Sequence, residues 1–162
     1  MSKVRKFKVK TKLSTAALRG GITAAEAINR ADAALEPYRG EALVVIDALL
    51  AEMASRFGPH AAGRDGEDLE ALYMLSSRVI DASIGLSEAG VDRAAHALCT
   101  LIDLSQESGI RDWEAIDVHL EAVRLLRLHG LTFSPAEQDR VLDGLKTVTA
   151  KRVGDPDQLK SA

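Results

Sequence analysis

The chain has little of what disulfide-bonded, strand-rich or membrane-spanning proteins need. Its 162 residues include one cysteine, four prolines, three Phe, two Tyr and one Trp. Cys99 has no second cysteine to pair with, which excludes an intramolecular disulfide and gives no reason to expect an oxidising compartment. No run of about 18 apolar residues is present for a membrane span, and no hydrophobic segment follows the charged N-terminus as in a secretory signal. We therefore expect a cytoplasmic protein that does not insert into membranes.

Alanine and leucine dominate the composition, and both favour helix over strand. A chain of this length is typical of one domain and can bury about 70% of the surface that it would expose when unfolded. The composition therefore predicts an all-α fold with one hydrophobic core.

The net charge of −3 is unevenly distributed along the chain. Residues 1–22 contain no acidic residue and seven basic ones, which are Lys3, Arg5, Lys6, Lys8, Lys10, Lys12 and Arg19, so the remainder carries −10. Charge-dense termini are commonly disordered, and residues 1–21 are predicted to form a flexible basic arm. The alternation of apolar and basic residues over 6–13 leaves a second interpretation open, in which the arm adds a strand to an acidic partner.

A long helix is predicted to begin at Thr23, which forms a capping box with Glu26. Apolar or small residues then recur at spacings of three and four, at Ile28, Ala31, Leu35, Tyr38, Ala42, Val45, Leu49, Met53 and Phe57. Pro37 lies within this pattern, and proline lacks an amide donor and clashes with the preceding turn. We expect either a kink or a break into two helices near Glu36.

Further helices are predicted along the rest of the chain. The segment Ala42–Ala51 is apolar on nearly every side, which indicates burial in the core or, alternatively, a homodimer contact. After a loop at 58–66, helices are expected from about Glu67 to Ile84, between Gly90 and Gly109, from the Asp112 cap to His129, and from Ser134, where Pro135 and Glu137 complete the start signal. Residues 22–152 are predicted to form a bundle of five or six helices, followed by a polar tail at 153–162.

The helix between Gly90 and Gly109 has two different faces. Its apolar stripe consists of Val91, Ala94, Ala95, Leu98, Ile102 and Ser105. The opposite face carries Asp92, His96 and Thr100, with Asp103 below and Arg93 and Cys99 flanking. We predict that Asp92, Arg93, His96 and Thr100 bind a partner together with the basic arm residues Lys3, Arg5, Lys6, Lys8, Lys10 and Lys12. The simpler interpretation is a surface histidine in a local network with Asp92 or Thr100.

Catalytic signatures are missing from the sequence. It contains no phosphate-binding glycine loop, no metalloprotease helix motif and no nucleophile elbow, so we expect no enzyme activity, no cofactor and no metal. Asp92, His96 and Cys99 have metal-ligand spacing on one helix, but structural zinc normally needs four ligands and no fourth is evident. His119 falls on an apolar helix face and is predicted to be a hydrogen-bonded core residue.

The segment Ala95-His96-Ala97-Leu98 resembles the start of the histidine-x-leucine-lysine-glycine motif of histidine phosphotransfer domains. This resemblance implies a four-helix bundle with a phosphoryl acceptor at His96. The sequence then departs from the motif, because Cys99 stands where the family has lysine and Thr100 where it has glycine. Asp92 would also repel a phosphate dianion. A divergent phosphotransfer protein is therefore the alternative function.

A second resemblance covers more of the chain. The segments VRKFKVKTKLS, GGITAAEAINRADAALEPYRGEALVVIDALLAEM, VIDASIGLSEAG and AAHALCTLIDL are similar to the small bacterial chemotaxis accessory proteins of the CheE family. This resemblance implies a non-enzymatic cytoplasmic protein that works beside a chemotaxis histidine kinase and its receiver proteins, and it supplies no active-site residues. We predict a helical adaptor that binds a receiver-domain response regulator or a histidine kinase. Nucleic acid is not expected as a partner, because Phe7 is the only aromatic residue of the arm.

Overall fold

The computed structural model describes residues 21–62, 64–66, 68–84 and 90–153. These residues form five α-helices and no strand, which confirms the predicted all-α helical bundle. The helices are α1 (Ala24–Phe57), α2 (Leu69–Ala82), α3 (Val91–Ser108), α4 (Trp113–His129) and α5 (Pro135–Arg152). Within the described ranges, no helix has the length and apolar character needed to cross a bilayer. The predicted flexible arm, its alternative strand at 6–13 and the tail after residue 153 lie outside the described residues.

Pro37 marks a division within α1. The helix is assigned without interruption from Ala24 to Phe57, so the alternative of two separate helices near Glu36 is wrong. The chain nevertheless divides into two compact units, one that ends at Pro37 and one that begins at Tyr38. All residues from 21 to 37 are exposed, and the hydrophobic core lies in the second unit.

The second unit is organised around α3. This helix buries half of its eighteen residues, which are Val91, Ala94, Ala95, Leu98, Cys99, Leu101, Ile102, Leu104 and Ser105. It packs against α2, α4 and α5. The apolar stripe predicted from the sequence is buried throughout, but burial extends beyond it because three neighbouring helices cover α3 from different sides.

Two helices are less completely covered than their sequences indicated. In the segment Ala42–Ala51, Ile46, Leu49 and Leu50 face the core, whereas Val44 and Val45 remain exposed. On α4, Val118 and Leu125 are also exposed. By contrast, Val153 at the start of the predicted polar tail is buried and belongs to the core.

The helix starts follow the predicted caps. The Thr23 hydroxyl accepts from the Glu26 amide at 3.2 Å, and the Glu26 carboxylate accepts from the Thr23 amide. Ser134 and Glu137 form a second capping box at α5, and the Asp112 carboxylate accepts from the Ala115 amide at α4. Each cap satisfies amides that the first helical turn leaves without partners.

Gln138 connects three helices at one end of the bundle. Its buried side chain donates from Nε2 to the carbonyl of Gly130, at the end of α4, and accepts from Arg93 of α3 through Oε1, each at 2.8 Å. Gly90, which precedes α3, has φ +71, and a Cβ at this position would lie 3.1 Å from the same Oε1. The positive φ favours glycine here, and any larger residue would also have to displace the Gln138 side chain by a few tenths of an ångström.

Replacing Gln138 with leucine should destabilise the bundle. The change leaves the buried Gly130 carbonyl without this donor, and we expect the free energy of unfolding to fall by about 1–3 kcal/mol. Urea denaturation measures this difference. The matched control is Gln106→Leu on the exposed side of α3, where a change within about 0.5 kcal/mol is expected. Equal effects of the two substitutions would contradict the role assigned to Gln138.

Candidate functional site

The predicted His96 face lines a groove between α3 and α5. The groove has a volume of about 570 Å³. Its lining consists of Arg93, His96, Ala97 and Thr100 from α3 and Asp139, Leu142, Asp143, Lys146, Thr149 and Ala150 from α5. The structure therefore brings three of the four predicted α3 residues together in one concave surface.

The groove has an apolar floor and a rim that carries both charge signs. Ala97, Leu142 and Ala150 contribute apolar surface. At the rim, Arg93 donates to Asp139 at 2.9 Å, and Lys146 donates to Asp143 at 3.0 Å. Because both pairs are exposed, each contributes about 1 kcal/mol or less to stability, and their charges remain available for exchange with a partner.

The imidazole of His96 is exposed at the middle of α3. Thr100 donates its hydroxyl hydrogen to the backbone carbonyl of His96 at 3.0 Å, while no hydrogen bond to the His96 ring is found among the described residues. The predicted side-chain network of His96 with Asp92 or Thr100 is therefore not formed. Thr100 bonds within the helix instead, as Ser and Thr commonly do.

Acidic groups cluster around Asp103, whose carboxylate also interacts electrostatically with His96. Burial raises the pKa of Asp103, and the neighbouring carboxylates of Glu107 and Glu70 raise it further, whereas His96 lowers it. The negative charge of Asp103 in turn raises the pKa of Tyr73. This side of α3 is therefore a region where additional negative charge is unfavourable.

Cys99 was predicted to flank the exposed face of α3, but it does not lie on that face. Its side chain is buried, and burial raises the pKa of its thiol although hydrogen bonds with Ser77 and Ser76 act in the opposite direction. Asp92, His96 and Cys99, which have metal-ligand spacing in the sequence, are not assembled into a three-ligand set. In the described part of the chain, no group of three His, Cys, Asp or Glu residues could hold a metal ion.

The remaining predicted residues have different surroundings. Asp92 does not line the groove; its Oδ1 is buried and has no hydrogen-bond partner among the described residues. The guanidinium of Arg93 bridges Gln138 and Asp139, so this residue also has a structural role. The basic arm residues Lys3, Arg5, Lys6, Lys8, Lys10 and Lys12 lie outside the described residues.

The contribution of α5 to this surface was not predicted from the sequence. Asp139, Asp143, Lys146 and Ala150 recur at spacings of four, three and four, which places them on one helical face. The periodicity was visible from the cap at Ser134 onward. The sequence does not show that this face of α5 lies beside His96, because its position depends on how the helices pack.

Comparison with protein-family models, with curated proteins and with solved structures gives no match for this chain.

His119, the other histidine singled out from the sequence, is a core residue as predicted. Its Nδ1 donates to the Ala115 carbonyl at 2.8 Å. Because that contact fixes the hydrogen on Nδ1, Nε2 accepts from the Thr149 hydroxyl at 3.2 Å. Burial lowers the pKa of His119, so the folded protein holds this ring neutral.

The neutral state of His119 should make stability depend on pH. Below about pH 6.5 the unfolded chain protonates this histidine while the folded chain does not, so the free energy of unfolding should fall as pH decreases, until the lower folded pKa is reached. The loss is at most about 1.4 kcal/mol per pH unit. Urea unfolding between pH 7.5 and 5.5 should show a smaller loss for His119→Gln than for wild type. The exposed His129→Gln control should behave as wild type, and an unchanged slope in His119→Gln would refute the assignment.

Proposed function

We propose that this protein is a non-enzymatic adaptor in bacterial chemotaxis or two-component signalling. It binds a receiver-domain response regulator or a histidine kinase through the groove between α3 and α5, with the basic arm as a second contact. The observation that carries this proposal is an open groove with an apolar floor and oppositely charged side chains along its rim.

The groove suits a helix or an extended segment of a partner protein. Ala97 and Ala150 are small, so they leave room for apolar side chains of an incoming segment between α3 and α5. At the exposed rim, Asp143 and Lys146 form an ion pair with each other. Either side chain can leave this pair and bind an oppositely charged group of the partner protein. Partner helices commonly bind in this way, with an apolar face in a groove and charges at its edges.

The basic arm supports an acidic partner. Its seven positive charges precede a body that carries −10, so the two parts of the chain attract different surfaces. Electrostatic attraction of this kind accelerates association and weakens as salt is added. The partner class comes from the CheE resemblance, and it is the part of the proposal that a binding experiment must establish.

Filling the groove should weaken partner binding without unfolding the protein. We expect Ala150→Arg to weaken the binding of the cognate phosphorylated or unphosphorylated receiver, or of the kinase, by at least about tenfold, because the bulky cation occupies the apolar floor. Isothermal titration calorimetry measures the Kd. Gly144→Arg is the matched control, since it adds the same side chain to α5 at an exposed position with open space around it.

Removing residues 2–20 tests the arm in the same titrations. The shortened protein should bind more weakly at low salt and should show a flatter dependence of Kd on salt concentration.

Equal affinities of the wild type and Ala150→Arg would reject the groove as the binding surface. An unchanged salt dependence after the deletion would reject the arm.

A second candidate function is phosphotransfer through His96. The exposed imidazole, whose ring has no hydrogen bond among the described residues, favours it. Lys146 lines the same groove from α5, where it can supply the positive charge that Cys99 does not. Asp103 and the half-buried Asp92 oppose it, because both add negative charge beside a phosphoryl group. The adaptor function is therefore preferred.

A phosphotransfer assay separates the two functions. A phosphorylated receiver or kinase from the same cell is offered to wild type and to His96→Gln. The adaptor proposal expects no acid-labile label on either protein while both retain the partner in a pull-down. Label on the wild type alone would establish His96 as a phosphoryl acceptor and would replace the adaptor proposal.

A further inference from the structure

The outer side of the α4–α5 pair carries an exposed apolar face. The two helices are antiparallel, because a short connection joins them, and His119 of α4 contacts Thr149 of α5. Val118 and Val148 each directly precede a residue of this contact, which places both on the same side of the pair. Val118 is 46% exposed, Leu125 is 40% exposed, and Val148 is half-buried.

Gly144 lies in the middle of the α5 part of this face. Residues at spacings of four and three share one side of the helix, and here they are Glu137, Val141, Gly144, Val148 and Lys151. Glycine in a helix interior is less stable than alanine. Among the described residues, no atom of another element lies within 4 Å of a Cβ placed at Gly144, so packing within the subunit does not require a glycine. The close approach of a second helix would require one.

We propose that this face binds the same face of a second copy of the chain, related by a two-fold axis that passes at Gly144. In this dimer α5 lies antiparallel to α5 and α4 antiparallel to α4. The two α5 backbones approach most closely at the glycines, and Val141 and Val148 are covered on either side of the axis. The dimer does not depend on the adaptor function.

The same axis accommodates the exposed part of α4. Thr149 is level with His119, so Gly144, five residues earlier, is level with position 124 of the antiparallel α4. Leu125 therefore lies beside the axis and meets the second copy's Leu125. Ala122, one turn away, is small and nearly buried, so it leaves room for the leucine of the second copy.

Charge complementarity selects a second copy as the occupant. Glu137 and Lys151 are each seven residues from Gly144, so the axis places each Glu137 opposite the second copy's Lys151. Hydrogen bonds from the Ser134 hydroxyl and amide fix the Glu137 carboxylate and lower its pKa, which keeps it ionised. Lys151 forms no ion pair with any other described residue. The dimer gives both charges a partner, twice over.

The other charged groups near this face are paired within their own subunit. A parallel dimer would place each Glu137 opposite the second copy's Glu137 and each Lys151 opposite the second copy's Lys151, and like charges disfavour that arrangement. The internal pairs are Glu114 with Arg152 at 2.6 Å, Glu121 with Arg124 at 3.2 Å, and Arg140 beside Glu137.

Sedimentation equilibrium of the full chain tests the dimer. Wild type should sediment as a dimer, and Gly144→Arg should raise the dimer Kd by at least about tenfold, because the new side chain separates the two α5 helices at the axis. Arginine favours helix over glycine, so circular dichroism should show no loss of helix. A monomeric wild type, or a Gly144→Arg variant that remains as dimeric as wild type, would overturn the proposal.

Ala150→Arg is the matched control, because it adds the same side chain on the groove-lining side of α5. It should leave the dimer Kd unchanged, whereas the adaptor proposal expects it to weaken receiver or kinase binding. Gly144→Arg should have the reverse effects. The two variants therefore distinguish failure of the dimer from failure of the adaptor function, and equal loss of the dimer in both would reject the proposed face.

Lys151→Glu tests the register. It places a glutamate opposite the second copy's Glu137 and should raise the dimer Kd by about threefold or more at low salt, with a smaller increase at high salt. Lys146→Glu makes the same change on the groove-lining side of α5 and should leave the Kd unchanged. Equal Kd values for Lys151→Glu and wild type would contradict the register.

Cysteine cross-linking gives an independent measurement. Gly144→Cys should form a covalent dimer under mild oxidation, because this position meets its own copy at the axis, and Cys99 is buried. Thr147→Cys should stay largely uncross-linked, since the antiparallel dimer separates the two copies of this position by about 9 Å along the helix. Efficient cross-linking of Thr147→Cys would indicate a parallel pair and would reject the antiparallel dimer.

Discussion

The burial of α3 by three neighbouring helices is the constraint on which the rest of the second unit depends. Small side chains such as Ala94 and Ala95 allow close approach, while Leu98, Leu101 and Ile102 fill the space between the helices. Removal of this apolar surface from water stabilises the bundle by about 25 cal/mol for each Å² buried. It also leaves α3 only a narrow exposed strip, and His96 lies on that strip beside α5.

The polar groups inside the bundle are used for structure rather than for chemistry. Ser76 and Ser105 each donate to the carbonyl four residues earlier in their own helix, and Ser83, which caps α2, donates to the Val79 carbonyl. His119 satisfies both ring nitrogens, one within α4 and one with Thr149 of α5. Since buried polar groups are costly without partners, these contacts make the interior an unfavourable place for a reactive residue. Groups able to engage a partner therefore lie at the surface grooves.

Local signals in the sequence predicted the helices and their caps, because both depend on residues within a few positions of one another. The capping residues Thr23, Asp112 and Ser134 and the core position of His119 were predicted correctly for this reason. The burial of Cys99 was missed because α2 covers that side of α3, and helical periodicity does not show how many neighbours a helix has. The groove beside His96 could be predicted only in its α3 half. Its α5 half depends on tertiary packing between segments about 45 residues apart, as the contact of Arg93 with Gln138 illustrates.

The order of the helix pairings bears on how the second unit can fold. Among the described helices, the main contacts join α2 with α3, α3 with α4 and α4 with α5, which are neighbours along the chain. Contacts of this kind close short loops and need little search through chain conformations, so they favour rapid folding. The pairing of α3 with α5 is different, because it joins two helices that α4 separates along the chain. The surface beside His96 thus depends on the helix pairing that closes a longer loop than the others, and that closure costs more chain entropy.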